Sequence, residues 1–366
     1  MEREQVLAFR LARHGLAVRR SLTLAAAAAC PASDYSRGWA LLALAARSEE
    51  VTREAYDAAT DSGELVIAPT LRAAIHALAP PDFGLYGRAL IAADDDELGK
   101  QLGPSLHRGL RDQRIAPSDA LEEVAVATEA ALAGGAALTK DELHEQLRRR
   151  VRSELLPWCR GCGSHHVAPM LWRFAGVRAG MCLDSKRRFR LRDQGAPPAP
   201  AEAARRFLGF YAPSTAKDFA AWAGLAPAHS RRLWAQIEPE LSEVRLDGRR
   251  TWLLQRDEPA IAAPPQPRGV RLLPPRDPYV QQPDRATLVP DAAMRARVFR
   301  PVANPGVVLQ DGRFAGLWRA RARGRRSEIE VEELTRIDRD GLQVEAARVA
   351  TLRGTEAAVV RSRSGS

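Results

Sequence analysis

The sequence concentrates possible metal ligands in one short segment. It reads Cys159-Arg-Gly-Cys162-Gly-Ser-His165-His166, and Cys-x-x-Cys-Gly is typical of a zinc knuckle, whose turn directs two thiolates at one metal ion. His165 and His166 could complete a tetrahedral site. Four ligands within eight residues would be crowded, however, so a turn in which both cysteines pack as small apolar side chains is the alternative. We predict that no cofactor is required and that zinc is the candidate metal.

Arginine dominates the charge of the chain. There are 55 Lys and Arg residues against 45 Asp and Glu residues, a net charge of +10, and all but four of the basic residues are arginine. A guanidinium can grip two phosphate oxygens at once, so the excess favours a polyanion, with double-stranded DNA as the expected partner. GC-rich coding would also enrich arginine, so the charge becomes informative only with a fold that uses it.

The predicted DNA contacts fall on one helix, beside two hairpin turns and in one basic run. For any single arginine, a solvated surface charge is the alternative. The candidates are His229, Arg231, Arg232 and Gln236 on the helix, Arg187, Arg188, Arg190, Arg249 and Arg250 beside the turns, and Arg319, Arg321 and Arg323 in the run.

The elements that must position these residues are clearest after residue 200. A capping pattern over Thr215–Asp218 predicts a helix that ends at Gly224, and Pro227 begins a second helix. Alternating strands over 241–246 and 249–254 flank an Asp-Gly turn, the strongest short signal for a hairpin. Two helices joined by a short turn and followed by a hairpin make a winged helix, whose second helix can enter a major groove.

The same order of elements recurs earlier in the chain. A capping box at Thr139, a helix near 167–175 and a hairpin over 180–191 predict a second winged helix. A further winged helix is predicted at the N-terminus, from helices near 5–14, 37–47 and 52–60 and strands at 64–67 and 74–78. Short strands predict a small β-rich domain after residue 261, at 270–273, 307–309, 314–318, 327–331 and 342–345, and we expect a frayed tail over 361–366.

The predicted fold class is therefore α+β, with tandem winged helices before a small β-rich domain. The predicted domains are 1–115, 116–197, 198–260 and 261–366. No apolar run is long enough to span a membrane, the N-terminus does not resemble a signal peptide, and four cysteines do not make a disulfide scaffold. We expect a monomeric cytoplasmic protein that associates with the nucleoid when it binds DNA.

Several segments resemble a known bacterial family of winged-helix DNA-binding-domain proteins. They are Tyr211–Gly224, Arg271-Leu-Leu-Pro-Pro-Arg-Asp-Pro-Tyr279 and Asn304–Trp318, and the stretches Val6–Leu16 and Thr70–Leu78 are also similar. This family includes AlkZ-like DNA glycosylases. The resemblance covers nearly the whole chain and implies tandem winged helices, commonly three, a C-terminal β domain, and repair of alkylated or interstrand-crosslinked DNA by cleavage of the N-glycosidic bond.

The resemblance also implies a catalytic position. Glycosylases of this kind use a Gln-x-Gln or Gln-x-Asp motif, which falls at Ser33-Asp34-Tyr35 when 37–47 is placed on the family's following helix. Neither glutamine is present, and Asp34, the only carboxylate there, falls one place off the expected third position; Asp34, with Ser33 beside it, is the catalytic candidate. A carboxylate can stabilise positive charge on the deoxyribose and orient water onto C1′. The alternative is that Asp34 or Ser33 caps the helix that begins near Arg37.

Two further alternatives concern DNA contact and function. His76 matches a histidine common in the family's equivalent strand, which implies a DNA-binding residue, but a hydrogen-bonded strand histidine is the alternative. The missing glutamines leave open a non-enzymatic DNA binder, such as a regulator or a structure-specific binder. A winged-helix protein that binds only proteins is a third possibility.

Overall fold

The structure is a computed structural model, and it describes residues 1–196, 198–300 and 302–364. The chain forms two compact units, each built from separate stretches of sequence. The first unit contains Met1–Tyr56, Arg205–Thr215 and Pro239–Ser366, and the second contains Asp57–Ala204 and Ala216–Glu238. Helices and sheets are mixed in the chain, as the α+β class predicted. The division into four domains and the winged-helix arrangement remain predictions.

The helices begin and end largely where capping and breaking residues predict. Thr139 and Glu142 form the expected capping box, Gly224 has a left-handed backbone with φ of 74° after its helix, and Pro227 opens the next. In chain order the α-helices are α1 Arg3–Arg13, α2 Leu24–Ala27, α3 Trp39–Arg47, α4 Arg53–Ser62, α5 Phe83–Tyr86, α6 Asp95–Leu102, α7 Pro104–Asp112, α8 Pro117–Leu132, α9 Lys140–Arg148, α10 Pro169–Ala179, α11 Glu202–Tyr211, α12 Ala216–Ala223, α13 Pro227–Ala235, α14 Glu258–Ala262, α15 Arg285–Leu288, α16 Ala292–Val298 and α17 Arg339–Leu352. No helix of the described ranges is long and apolar enough to cross a membrane.

The strands include every hairpin predicted from the sequence. In chain order they are β1 Ala32–Ser33, β2 Val66–Pro69, β3 Ile75–Leu78, β4 Trp158–Cys159, β5 Ser164–His165, β6 Met181–Leu183, β7 Phe189–Leu191, β8 Leu241–Leu246, β9 Arg249–Leu254, β10 Val270–Leu273, β11 Gly306–Gln310, β12 Arg313–Arg323, β13 Arg326–Glu333 and β14 Ala357–Ser364. The Asp247-Gly248 turn between β8 and β9 has φ of 49° and 74°, the two positive values that a type I′ turn requires.

In the second unit, the first two predicted hairpins join into one sheet. Strands β3, β2, β6 and β7 lie side by side in that order, and β2 meets β6 where Ile67 pairs with Leu183. All of these pairings are antiparallel. The two hairpins therefore share a sheet, which buries the edge that each alone would expose.

In the first unit, a five-stranded sheet has the order β10-β11-β12-β13-β14. Strand β14 pairs parallel to β13, and α17 is the crossover that a parallel connection needs. Two expectations were wrong here. Residues 342–345 are part of α17 and not a strand, because Asp338 caps this helix through the Gly341 amide and Leu342, Ala346 and Val349 are buried at helical spacing. The expected tail is strand β14 as far as Ser364, and residues 365–366 lie outside the described residues.

The core of the first unit lies between α1 and the C-terminal sheet. Leu11 and Leu16 pack in one buried cluster with Leu273, Tyr279 and Val307. This cluster fixes the segment that follows β10, residues 274–279, against the N-terminal helices.

Candidate functional site

The catalytic candidate Asp34 lies in the loop between β1 and α3. Only 2% of its surface is exposed, and its Oδ1 accepts hydrogen bonds from the backbone amides of Gly38 and Ala40, both at 3.2 Å. Ala40 belongs to the first turn of α3, whose amides have no partner within the helix. Asp34 therefore caps α3, and one oxygen of its carboxylate is held in a fixed direction. Ser33 ends β1 beside it and is half-buried.

An exposed aromatic ring follows the buried carboxylate directly. The side chain of Tyr35 is 64% exposed, and the guanidinium carbon of Arg276 lies 4.9 Å from its ring centroid. The Trp39 ring lies 6.1 Å away on the first turn of α3. Arg276 has φ of 60°, a left-handed backbone that a residue with a side chain adopts at a cost.

A buried ion pair holds this arginine in place. The guanidinium of Arg47, at the end of α3, donates two hydrogen bonds to Asp277, at 2.8 and 2.9 Å, and both side chains are almost fully buried. Burial lowers the pKa of Arg47, but Asp277 outweighs it, so the pKa is raised and the pair stays charged. Asp277 also accepts from the Tyr279 amide at 2.9 Å. The pair thus fixes residues 274–279 to α3, and with them Arg276 over Tyr35.

A second buried arginine supports the same side of the unit. Arg10 on α1 has a fully buried side chain that pairs with Asp284 at 2.8 Å. It also donates to Gln282 and to the carbonyls of Ala212 and Pro213. These bonds satisfy a charge that burial would otherwise make costly. Two segments that are distant in sequence, residues 212–213 and 282–284, are therefore fixed against α1.

The predicted metal ligands are brought together only in part. The ligand atoms of Cys159, Cys162 and His166 all lie within 4.8 Å of one another. His165 is not in this group, because it is exposed and its Nδ1 is 2.8 Å from the Leu156 carbonyl. A residue that the sequence analysis missed lies nearby instead: the His144 ring on α9 is 5.0 Å from the His166 ring.

The titration of these groups follows from their surroundings. Burial, and then the neighbouring His166, lower the pKa of His144 to about 4. A neutral imidazole and a thiolate are the forms of these side chains that bind metal.

Two histidines predicted to contact DNA are buried. His76 is 5% exposed, its Nδ1 lies 2.9 Å from the Thr70 hydroxyl, and burial followed by the charge of Arg72 lowers its pKa to about 3. His229 on α13 is 9% exposed, and burial lowers its pKa as well. A neutral, buried imidazole has no charge for a phosphate, so the geometry favours the alternative of a hydrogen-bonded strand histidine for His76.

Some of the predicted arginines are bonded to other residues of the chain, and others are exposed to solvent. Arg188 pairs with Asp184 at 2.7 Å, and Arg190 donates to the carbonyls of Thr60 and Asp61. Arg187, with φ of 66°, is half-buried in the same turn. These three side chains belong to the β6–β7 hairpin, where two of them hold the turn and its neighbours together.

The outer face of α13 shows the same division between adjacent residues. Arg231 and Arg232 are both exposed, as is Gln236. Arg232 donates two hydrogen bonds to Glu97 of α6, at 2.8 and 2.6 Å. In the β8–β9 hairpin, Arg249 is exposed, whereas Arg250 pairs with Glu243 and lies over the Trp252 ring.

The basic run on β12 lines a groove of about 610 Å³ in the first unit. Strand alternation puts Arg319 and Arg321 on the same face of the sheet, where they meet charged residues of both signs. The charged residues of the groove are Arg297, Arg300, Arg319, Arg321, Arg361, Arg363, Glu328, Glu330 and Glu332. The side chain of Arg323 lies outside the described part of the structure.

Comparison with known proteins places the chain in a family. The model of the family described as DNA glycosylase AlkZ-like matches residues 29–352. The chain belongs to the AlkZ-like DNA glycosylase family. An AlkZ-like relative, the interstrand DNA cross-link repair glycosylase of Streptomyces sahachiroi, is 28% identical over 397 residues, with 98% of each chain covered. The solved structure of Streptomyces sahachiroi DNA glycosylase AlkZ shares the fold, with a TM-score of 0.76 at 24% identity over 99% of this chain and 100% of that one.

The AlkZ-like match spans both the Asp34 loop and residues 159–166, the Cys-His segment. The sequence analysis missed Tyr35, Arg276 and the pair of Arg47 with Asp277. A partial signal was present, since Tyr35 lies in the tripeptide to which the resemblance assigns the catalytic motif, and residues 271–279 are a segment of that resemblance. Nothing in the sequence indicated that these segments meet.

Proposed function

We propose that this chain is a DNA glycosylase that repairs alkylated or interstrand-crosslinked double-stranded DNA by cleaving the N-glycosidic bond, and that its hairpins and helix pairs are tandem winged helices. The observation that carries the proposal is the Asp34 loop. In this loop, to which the resemblance assigns the catalytic motif, a carboxylate of fixed orientation is followed directly by an exposed aromatic ring under a cation. Membership of the AlkZ-like family supports the reaction class.

In the proposed reaction, the carboxylate of Asp34 acts on the sugar. The bond between C1′ and the base nitrogen breaks, and both electrons leave with the base. Positive charge grows on the deoxyribose and is stabilised by Asp34, which also orients a water molecule. The water oxygen bonds to C1′, and one of its protons passes to the carboxylate. Because the amides of Gly38 and Ala40 fix the carboxylate in advance, little reorganisation is needed in the transition state.

Tyr35 and Arg276 would serve the DNA and not the bond that breaks. An enzyme that acts on a base in a duplex must take it out of the stack, and the unstacked surface needs a partner. Tyr35 offers one face of a ring to solvent, and a guanidinium near the ring strengthens stacking and attracts phosphate. Exposed arginines such as Arg249 of the first unit would contact the phosphates of the duplex.

The test is release of free base and formation of abasic DNA from alkylated and crosslinked duplexes. Asp34→Asn should keep DNA affinity and lose about 10²–10⁴-fold in turnover, as expected when a group acts mainly in the transition state. Asp291→Asn is the matched control, since Asp291 also caps a helix, through the Met294 amide at 2.7 Å. Full excision by Asp34→Asn would place the chemistry elsewhere.

A second function is favoured by one observation. Asp34 already caps α3, a complete structural role, and neither of the family's glutamines is present. These facts suit a DNA-binding protein without catalysis, such as a regulator or a structure-specific binder. Wild-type protein that binds DNA with strong salt dependence and excises nothing from any alkylated or crosslinked substrate would establish this second function instead.

A further inference from the structure

The Cys-His segment is a turn that is already shaped for a metal ion. Cys159 and Cys162 flank the tip of the β4–β5 hairpin, and the amides of Cys162 and Gly163 both bond to the Cys159 carbonyl. Their sulfurs and the reachable nitrogen of His166 lie within 4.8 Å of one another. In a tetrahedral zinc site with Zn–S bonds of about 2.3 Å, ligand atoms lie roughly 3.5–4 Å apart, so side-chain adjustments of about 1 Å would close the set.

His166 has the tautomer that a metal ligand needs. Its Nδ1 is 2.8 Å from the Val167 carbonyl, which can only accept, so Nδ1 carries the proton and Nε2 keeps its lone pair. Nε2 is buried and has no hydrogen-bond partner in the described structure. A ring nitrogen tied to a backbone carbonyl, with the other free for a metal, is the usual arrangement of ligating histidines.

His144 on α9 lies beside this group of three ligands. It is 7% exposed, and neither of its ring nitrogens has a hydrogen-bond partner among the described residues. Its ring lies 5.0 Å from that of His166, at 81°, and it lines the same cavity as Cys162 and His166. Burying a polar atom without a partner is costly, and three such ring nitrogens lie together here, so a ligand that bonds to them would stabilise the fold.

We propose that Cys159, Cys162, His166 and His144 bind one zinc ion. With four protein ligands the site has no open position, so its role is structural. The ion joins the β4–β5 hairpin to α9 within the second unit. It also fixes the turn on which Trp158, 57% exposed, and Arg160 are displayed. This inference does not depend on the proposed glycosylase activity.

The experiment measures metal in the reduced, full-length protein purified without chelators. We expect about one equivalent of zinc, and X-ray absorption should report two sulfur and two imidazole ligands. Cobalt in place of zinc should give the intense thiolate charge-transfer bands and visible bands of a tetrahedral site. The matched variants are His166→Gln and His165→Gln, which differ by one position in the chain. The first should lose more than the roughly 10–100-fold in zinc affinity that an outer-shell change costs, and the second should lose almost none.

Several outcomes would overturn the proposal. Wild-type protein that neither contains zinc nor binds it in competition with a micromolar chelator carries no such site. Equal loss of affinity in His165→Gln and His166→Gln would mean that the wrong histidine was assigned. A donor set with one imidazole, or zinc binding unchanged in His144→Gln, would remove His144 from the set. Because binding is measured first on wild-type protein, a variant that fails to fold does not spare the proposal.

Discussion

The Asp34 loop and the Cys-His segment both place polar side chains out of solvent, but they satisfy them in opposite ways. The carboxylate of Asp34 accepts a hydrogen bond from the Gly38 amide, and that of Asp277, in the segment packed against α3, accepts from Arg47 and the Tyr279 amide. The chain itself therefore supplies the partners of both carboxylates. At the Cys-His segment, ring nitrogens of His166 and of His144, on the neighbouring helix α9, are buried without any hydrogen-bond partner in the described structure. The first arrangement is complete after folding, whereas the second needs a ligand to become so.

The comparison separates two kinds of candidate site. A site whose supporting groups are bonded by the chain is rigid before substrate arrives, which is what transition-state stabilisation requires. A site with unpaired ligands changes stability when its ion binds, because binding energy is folding energy. Removing a bonded partner, such as Asp277 beside Arg47, should therefore destabilise the first kind of site.

The largest expected effect comes from Asp277→Ala. It leaves the Arg47 guanidinium buried without its counter-charge, which should lower the free energy of unfolding by about 3–5 kcal/mol. Urea denaturation measures the loss. The double change Arg47→Met with Asp277→Leu should recover much of it, since removing both charges also removes the desolvation cost.

The control for this prediction lies in the second unit. Glu145 pairs with Arg148 and Arg149 on the exposed face of α9, and Glu145→Ala should leave the denaturation midpoint nearly unchanged because such pairs contribute little. If Asp277→Ala were as mild as this control, the pair would not be what holds residues 274–279 to α3.

Much of the fold follows from local signals in the sequence. The Asp247-Gly248 turn, the Thr139 capping box and the Gly224 terminus each depend on residues within one turn of chain, and each appears in the structure as predicted. Residues 342–345 were misassigned for the same reason. Leu-Gln-Val-Glu alternates like a strand over four residues, and the buried positions farther along α17 carry the helical period.

The candidate sites were less predictable because they join distant segments. Arg47 and Asp277 are 230 positions apart, and nothing local marks either as half of a buried pair. His144 was not predicted as a ligand, whereas His165 was, because it lies close to Cys162 in the sequence. Of the two neighbouring histidines, His165 ends β5 and is exposed, whereas His166 follows the strand and is buried. Tertiary packing, which no sequence pattern here encoded, makes that choice.

A smaller effect is expected from the exposed aromatic of the Asp34 loop. Tyr35→Ala should weaken binding to lesion-containing duplex by about 1–3 kcal/mol, roughly 5- to 150-fold, because stacking of one base is lost. Tyr35→Phe should bind like wild type, since the ring remains. Trp158→Ala is the matched control, as Trp158 is an equally exposed ring on the Cys-His segment. Equal affinity of Tyr35→Ala and wild type would show that the loop does not stack on DNA.

The smallest expected effect applies the same distinction to two neighbouring residues of α13. Arg232 is already bonded twice to Glu97, whereas Arg231 beside it is exposed on the same helix. A side chain whose bonding capacity is used by the chain has less to offer a phosphate, and the paired carboxylate repels one. Arg231→Ala should therefore reduce the slope of log affinity against log salt by about 1, the value for one lost phosphate contact, and Arg232→Ala should reduce it by clearly less. The measurement is a titration of a random duplex at several salt concentrations. Equal slopes for the two variants would mean that DNA displaces Glu97 from Arg232, and that internal pairing does not predict which arginines bind.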